Sequence, residues 1–450
     1  MSSYLKTILI ALVTFSIFAQ AQSPPKRKKL KDFGSSLTRL KWNANKNIAE
    51  MRSDKRKTNS DEEDVIRIET SLVSSDLLVL DRQGQRVSGL TPEDFTIAED
   101  GAPQTVGHFS IGDNVNVPRT IVLVIDYSGS QLPYLYNSIK AAKLLVDKLG
   151  PKDLMAIVTD DIEMIQDFTT DKKKLKEKLD SVLDAVDPTP RVIENGGRTP
   201  GLRFSRFGQS KQYSALLATL NEAFHEEDVR RIIIFQTDGD EAFYLRNPAL
   251  ALTIPPGLQG EALKVALEQL AFHQLSFSRK ETQFSLDDIY RAIERERATI
   301  YTVIPGVRLW DLPLEERLRK FNPGQLAHTA GWMGHLSKKD REKLIKRIEK
   351  DNQNVDPIVV EANVDLMSKQ QAVLAGVATI SGGWADFLEV PEQADAIYSR
   401  IFSDINQRYI VGYYPTNKER DGKRRKIKFE IKGHPEYQVY GRRSYFAPEP

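Results

Sequence analysis

Runs of apolar residues alternate with amphipathic stretches along most of the chain, at the spacing of an α/β sheet. Arg119-Thr-Ile-Val-Leu-Val-Ile125 is a continuous apolar run, followed at once by a polar turn and then by an amphipathic stretch from Leu132 to Leu149. That is the pattern of a strand buried on both faces feeding a helix. Leu154 to Val158 reads as a strand, Glu163 to Phe168 as a short antiparallel edge, Asp171 to Ala185 and Tyr213 to His225 as helices, and Arg231 to Gln236 as a second buried strand. Ser285-Leu-Asp-Asp288 caps a helix running to Arg297, because the Ser hydroxyl and a carboxylate three residues later satisfy the first orphan amides. The series continues with Thr299 to Ile304 (strand), Lys369 to Thr379 (helix, closed by Gly382 and Gly383), Trp384 to Phe387, Pro391 to Gln407 (helix) and Arg408 to Tyr413. This predicts an α/β fold with a doubly wound, mostly parallel sheet.

Either side of it the pattern shortens. Val65 to Leu80, the Asp81 to Arg86 turn around Gly84, and Thr91 to Gly101 predict short strands of a β-domain that stops near Ile111, too few for a sandwich of about seven strands. Arg425 to Lys432 alternates, with Ile427, Phe429 and Ile431 on one face, and Tyr437 to Tyr445 follows. The two ends are therefore expected to pair: residues 65–112 and 415–450 form a small β-sandwich-like domain into which the α/β domain, residues 117–414, is inserted. Residues 245–283 and 307–365 are too long for ordinary connections and are expected to be insertions. The second contains a charged helix, Ser337 to Asp351, with Leu344 and Ile348 on one side, expected to be a solvated surface helix.

The N-terminus changes the compartment. Lys6, the apolar run Ile8 to Ala19 and the small-x-small Ala19-Gln20-Ala21 make residues 1–21 a secretory signal peptide; an uncleaved anchor is the alternative. No later stretch is apolar enough to span a bilayer, so a secreted or periplasmic protein without a stable span after cleavage is expected. Residues 22–64 read as a flexible basic arm: Lys26 to Lys57 holds twelve Lys/Arg against three Asp/Glu. It is either a solvated spacer or a contact for an acidic surface. Nucleic acid is disfavoured, since export removes the chain from it and only Phe33 and Trp42 are interleaved aromatics. Over the 450 residues, Lys+Arg 64 nearly balances Asp+Glu 62, and the absence of cysteine excludes disulfides, thiolate metal sites and thiol nucleophiles.

Candidate chemistry sits after the first buried strand, in Asp126-Tyr127-Ser128-Gly129-Ser130. One carboxylate and two hydroxyls on a tight turn form a cluster of hard oxygen donors at the C-terminal edge of the sheet, where open α/β sheets place ligands. Asp238, in Thr237-Asp238-Gly239, follows the second buried strand and faces the same edge. The same turn would also serve as a metal-free helix cap, since Asp and Ser satisfy orphan amides. Asp240, Glu241, Asp160 and Asp161 are expected to be loop and turn charges rather than ligands.

Asp126-x-Ser128-x-Ser130 with Thr237-Asp238-Gly239 resembles the metal-ion-dependent adhesion site of von Willebrand factor type A (VWA) domains. Leu90-Thr-Pro-Glu-Asp-Phe95, Glu99-Asp100-Gly101, Tyr409-Ile-Val-Gly-Tyr-Tyr-Pro415 and Asp421-Gly-Lys-Arg-Arg-Lys-Ile427 look like the exported VWFA-related proteins first noted in acidobacteria. The resemblance covers roughly Val65 to Phe446 apart from the insertions. It implies a divalent cation, Mg²⁺ first and Mn²⁺ or Ca²⁺ as alternatives, bound directly by Ser128, Ser130 and a third-loop hydroxyl, with Asp126 and Asp238 acting through water. Gly208-Gln209-Ser210 stands where the family has Gly-Gly-Thr, so Ser210 is the third-loop candidate; Thr199, in Gly196-Gly197-Arg198-Thr199, competes with it.

Enzyme motifs are missing: no G-x-S-x-G elbow, Walker loop or H-E-x-x-H is present, and Ser128 has no evident general base. The expectation is a non-catalytic, metal-dependent binding module whose cation meets an acidic side chain of a protein partner. The alternative is a metal-independent structural scaffold of the envelope or extracellular layer.

Overall fold

The computed structural model describes residues 32–51, 72–112, 118–185, 191–192, 198–199, 210–225, 230–246, 281–321 and 357–448, with a few isolated positions between. The expected signal peptide, the remainder of the basic arm and most of both expected insertions lie outside these residues. Within the charged stretch 337–351, the described positions 339, 342, 343, 346 and 350 are helical and exposed.

The segment expected to be a flexible arm is partly folded, and this corrects the sequence expectation. Helix α1 (Ser35–Arg39) leads into a hairpin of strands β1 (Leu40–Asn43) and β2 (Ile48–Met51). Phe33, Leu37, Leu40 and Ala49 are spaced so that their side chains reach one face and pack on a core cluster of the α/β sheet. Glu222 accepts from the backbone N–H of Gly34 (2.9 Å) and Ser36 (2.8 Å), and Asp288 accepts from that of Ala49 (3.1 Å). A basic composition hid these few apolar anchors.

The next strands are β3 (Val73–Leu80), β4 (Phe95–Glu99), β5 (Ala102–Gln104) and β6 (Val106–Ile111). The α/β alternation then runs β7 (Arg119–Ile125), α2 (Leu132–Lys148), β8 (Leu154–Thr159), β9 (Met164–Thr169), α3 (Lys172–Ala185), the two-residue strands β10 (Arg191–Val192) and β11 (Arg198–Thr199), α4 (Gln212–Glu222), β12 (Arg230–Gln236), α5 (Leu286–Glu296), β13 (Thr299–Pro305), α6 (Pro357–Ser381), β14 (Ala385–Leu388) and α7 (Ala394–Asn406). The central sheet has the order β14-β13-β12-β7-β8-β9, all parallel except the edge strand β9. Every residue of β7 is buried because the sheet is covered on both sides. Ile121, Leu123 and Ile125 join the cluster formed with α2, α3 and α7, whereas Val122 and Val124 join that formed with α4, α5 and α6. The capping box predicted at Ser285 is present, with the Ser285 N–H donating to Asp288 at 2.8 Å. Gly383 closes α6 against β13: a Cβ there would lie 1.9 Å from the Ile300 carbonyl oxygen.

The chain ends in β15 (Tyr409–Tyr413), β16 (Arg424–Ile431), β17 (Gln438–Tyr440) and β18 (Ser444–Phe446). Two four-stranded sheets, β17-β3-β15-β6 and β18-β16-β4-β5, are each built from both ends of the chain. Between them Val73, Leu77, Val79, Phe95, Ile97, Ile427 and Ile431 form the core, so the two halves make one sandwich-like unit. Arg408 to Tyr413 does not extend the α/β sheet as expected; β15 runs antiparallel between β3 and β6. Tyr409, Val411 and Tyr413 enter the sandwich core while Ile410 is fully buried as well. A strand covered on both faces reads alike in either setting, and this one is covered because the sandwich abuts the α/β unit. Arg230, at the start of β12, donates to the carbonyls of Gly112 and Ile405, both at 2.7 Å, and lies 3.5 Å from Asp76 of β3. The sandwich thus meets the N-terminal ends of the parallel strands and leaves their C-terminal edge uncovered by it.

Among the described residues no helix is long and apolar enough to cross a membrane.

Candidate metal centre

Strands β7 and β12 are hydrogen-bonded neighbours, with Ile125 opposite Gln236. The strand order reverses between them, because β8 follows β7 on one side and β13 follows β12 on the other. At such a switch point the two departing loops splay apart and open a crevice at the C-terminal edge. Asp126 and Asp238 occupy those two loops, as the sequence suggested. Asp126 is anchored by its own N–H, which donates to the Gln236 carbonyl at 3.0 Å.

The Asp126 turn is built by side-chain to backbone bonds. Ser128 N–H donates to Asp126 Oδ1 at 2.9 Å and Gln131 N–H to the Ser128 carbonyl at 3.0 Å, which winds the chain tightly before α2 begins. Ser128 Oγ and Ser130 Oγ are thereby brought 3.2 Å apart. On the other loop Thr237 Oγ1 donates to Asp126 Oδ2 at 2.8 Å and accepts from the Gly239 N–H at 2.9 Å. Gln131 Nε2 donates to Asp238 Oδ2 at 2.9 Å, and Gln370 of α6 holds the Asp238 carbonyl at 2.7 Å.

The third loop arrives at the N-terminus of α4. Lys211 N–H donates to the Asp160 carbonyl at 2.8 Å, while the Asp160 N–H donates to that of Ile125 at 3.1 Å, tying this loop to the edge next to Asp126. Ser210 is 1% exposed and its Oγ has no hydrogen-bond partner. Thr199, the competing candidate, has its backbone in β11, paired with β10; its side chain lies outside the described groups. Asp160 Oδ1 accepts from the Tyr127 N–H at 3.2 Å, and Glu241 accepts from Ser214 N–H and Oγ at 2.9 and 2.6 Å, so both have structural partners.

Electrostatics single out Asp238. Burial holds its carboxyl well above the ordinary carboxylate range, with the charges of Asp126 and Asp240 adding to the rise, against hydrogen bonds from Ser130 and Gln131. The two neighbouring carboxylates are the part of this rise that a cation between them would offset; burial itself disfavours charge of either sign.

A divalent cation fits these groups. Ser210 Oγ and Gln131 Oε1 are both buried and orphaned, a state that costs about 1–3 kcal/mol per group when nothing takes the lone pair or proton. Among the described residues no group of three or more His, Asp or Glu side chains is arranged to hold a metal by itself. The donor set is instead hydroxyls supplemented by carboxylates, hard oxygens of the kind Mg²⁺ and Mn²⁺ take. Gln131, Gln212 and Gln370 are the residues the sequence reading missed. The only signals were position: Gln131 directly follows the Asp-x-Ser-x-Ser turn, and Gln212 stands two residues after Ser210 in a helix start where an apolar residue would ordinarily face the core.

No family model matches the sequence, and no curated protein matches it. Solved structures to which the chain is similar include the vWF domain of the type V pili tip protein Mfa5 from Porphyromonas gingivalis, with 12% identity over 64% of this chain and 95% of that one and a TM-score of 0.30. An aerotolerance-related membrane protein from Bacteroides fragilis shares 16% identity over 64% of this chain and 98% of its own, with a TM-score of 0.27. Manganese-loaded TRAP protein from Plasmodium vivax shares 11% identity over 46% of this chain and 61% of its own, with a TM-score of 0.19. What the site does is decided by its own groups.

Proposed function

We propose that this chain is an exported, non-catalytic binding protein of the VWA adhesion type. Ser128, Ser130 and Ser210 would hold a divalent cation directly, and Asp126 and Asp238 would complete the site through water. The observation that carries this reading is the convergence of the loops after β7 and β12 and the start of α4 on one sheet edge, where Gln212 reaches Asp126 and Asp238, the Ser128 and Ser130 hydroxyls lie together, and the buried Ser210 hydroxyl, two residues before Gln212, has no partner. When bound, the cation would supply a Lewis-acidic position for an acidic side chain of a protein partner; Mg²⁺ suits the role because it keeps several waters and takes an octahedral oxygen shell. The chain's own part is to present the hydroxyls and to keep the carboxylates at the right distance.

A cation that binds only the folded state stabilises it by RT ln(1 + [L]/Kd), about 1.4 kcal/mol at ten times Kd. The melting temperature should therefore rise by roughly 1.5 to 3 °C with Mg²⁺ or Mn²⁺. Asp126→Ala should abolish the rise, and Ser210→Ala should reduce it, in differential scanning calorimetry of the full chain. A wild type that neither shifts nor binds either ion by titration calorimetry loses the metal reading.

One observation favours the alternative of a metal-independent scaffold: Asp126 accepts from three groups of the chain itself, Ser128, Thr237 and Gln212. Partner capture from envelope extract that is indifferent to chelator would select it.

A further inference from the structure

We infer that Gln212 is the positioning residue of this centre, its carboxamide standing in for positive charge between the carboxylates; the inference rests on the metal reading above and deepens it. Gln212 is fully buried. Its Oε1 accepts from the Glu241 N–H at 3.1 Å, which turns the amide nitrogen toward the acidic groups. Nε2 donates to Asp126 Oδ2 at 3.0 Å and to Asp240 Oδ1 at 2.7 Å, and lies 3.5 Å from Asp238 Oδ1. One side chain on α4 thus binds the loops after β7 and β12 to the third loop.

Among the described residues, the hydrogen-bond donors to the carboxylates of Asp126 and Asp238 are neutral: the Ser128 amide, the Ser130 and Thr237 hydroxyls and the Gln131 and Gln212 carboxamides. Neutral donors orient the acids without cancelling their charge, so they leave the centre attractive to a cation. Lys or Arg at the same position would cancel it. Asp126 Oδ2 is filled by two donors, Thr237 and Gln212, which fits it to brace the site, whereas Asp238 Oδ1 has Gln212 only at 3.5 Å. Gln212 therefore separates two properties that one residue rarely separates: it stabilises the ion-free fold and sets how strongly the fold attracts an ion.

Two variants of the full chain test this, Gln212→Glu and Gln212→Met, each melted in chelator and titrated with Mn²⁺ in a calorimeter. Gln212→Glu replaces the donor by a fourth carboxylate. In chelator its melting temperature should fall by roughly 3 to 8 °C, while Mn²⁺ affinity rises about tenfold, because affinity at oxygen sites follows ligand charge. A merely structural glutamine would lower both. Gln212→Met removes the donors without adding charge; it should also melt lower in chelator and gain more from Mn²⁺ than the wild type does. Melting temperatures in chelator unchanged for both variants, or Mn²⁺ affinity of Gln212→Glu equal to or below wild type, would overturn the inference. Should the wild type bind no Mn²⁺, the metal reading fails and the positioning role, which needs a centre to position, is overturned with it; a wild type that binds Mn²⁺ while Gln212→Glu binds it no tighter overturns the positioning role alone.

Discussion

Asp404→Ala is expected to cost about 3–5 kcal/mol of folding free energy, the range for breaking a buried ion pair from one side. Asp404 sits in α7 with 1% exposure, pairs with the Arg408 guanidinium, whose Nη2 lies 2.8 Å away, and accepts from Arg408 Nε at 2.9 Å, Arg86 Nη2 at 3.1 Å, Tyr301 Oη at 2.8 Å and Trp384 Nε1 at 3.2 Å. These donors come from the sandwich, from β13 and from the turn before β14, so one carboxylate fastens the seam between the two units. Its removal strands the guanidinium of Arg408, itself 1% exposed, together with a buried phenol and an indole N–H. Against a typical net stability of about 5–15 kcal/mol the loss is a large share. Asp404→Asn keeps the shape and half of the acceptor capacity and should lose less. Urea denaturation measures both; a cost for Asp404→Ala below about 1 kcal/mol would show that the seam is held elsewhere.

A chain ending at Pro415 is expected not to fold cooperatively. The truncation removes β16, β17 and β18, hence one partner of β3, one of β4 and all of one sheet edge. Burial of Ile427, Ile431 and Tyr445 is lost, at about 1.5–3 kcal/mol for each large apolar side chain. Phe95, Ile97 and Val79 would then face water, and buried Glu99 would lose the Tyr445 hydroxyl that donates to it at 2.9 Å. The loss compares with the whole stability of a domain, so aggregation or a melt without a sharp transition is the anticipated result in light scattering and calorimetry. A soluble, cooperatively melting chain ending at Pro415 would contradict a sandwich made by both ends.

Much of this architecture was legible before the fold was seen, and the exceptions have physical causes. The fully apolar runs Ile121 to Ile125 and Ile232 to Phe235, too short for helices, read as strands covered on both faces, and they lie in the two central strands of the sheet. The alternation in Arg425 to Lys432 was equally direct: Ile427 and Ile431 turn inward, and Lys426 and Lys428 are exposed. Arg408 to Tyr413 was assigned to the wrong sheet because burial on both faces reports neighbours without naming them. Residues 32–51 were read by their charge, which says nothing of the Glu222 carboxylate that gathers Gly34 and Ser36 from 188 and 186 residues away.

The candidate site divides in the same way. Asp126, Ser128, Ser130 and Asp238 follow from sequence alone, because a polar turn after a buried parallel strand must emerge at the sheet edge and because short range fixes the spacing within a turn. That Gln131 and Gln212 hold the aspartates was decided only by tertiary structure. Those contacts join α4 to loops 86 and 28 residues distant in the chain, and no local pattern encodes a partner that folding alone brings within 3 Å. Local periodicity thus determined the layers, the strand identities and the two acidic turns. Long-range packing determined the sheet that received β15, the docking of the N-terminal hairpin and the neutral donors to Asp126 and Asp238.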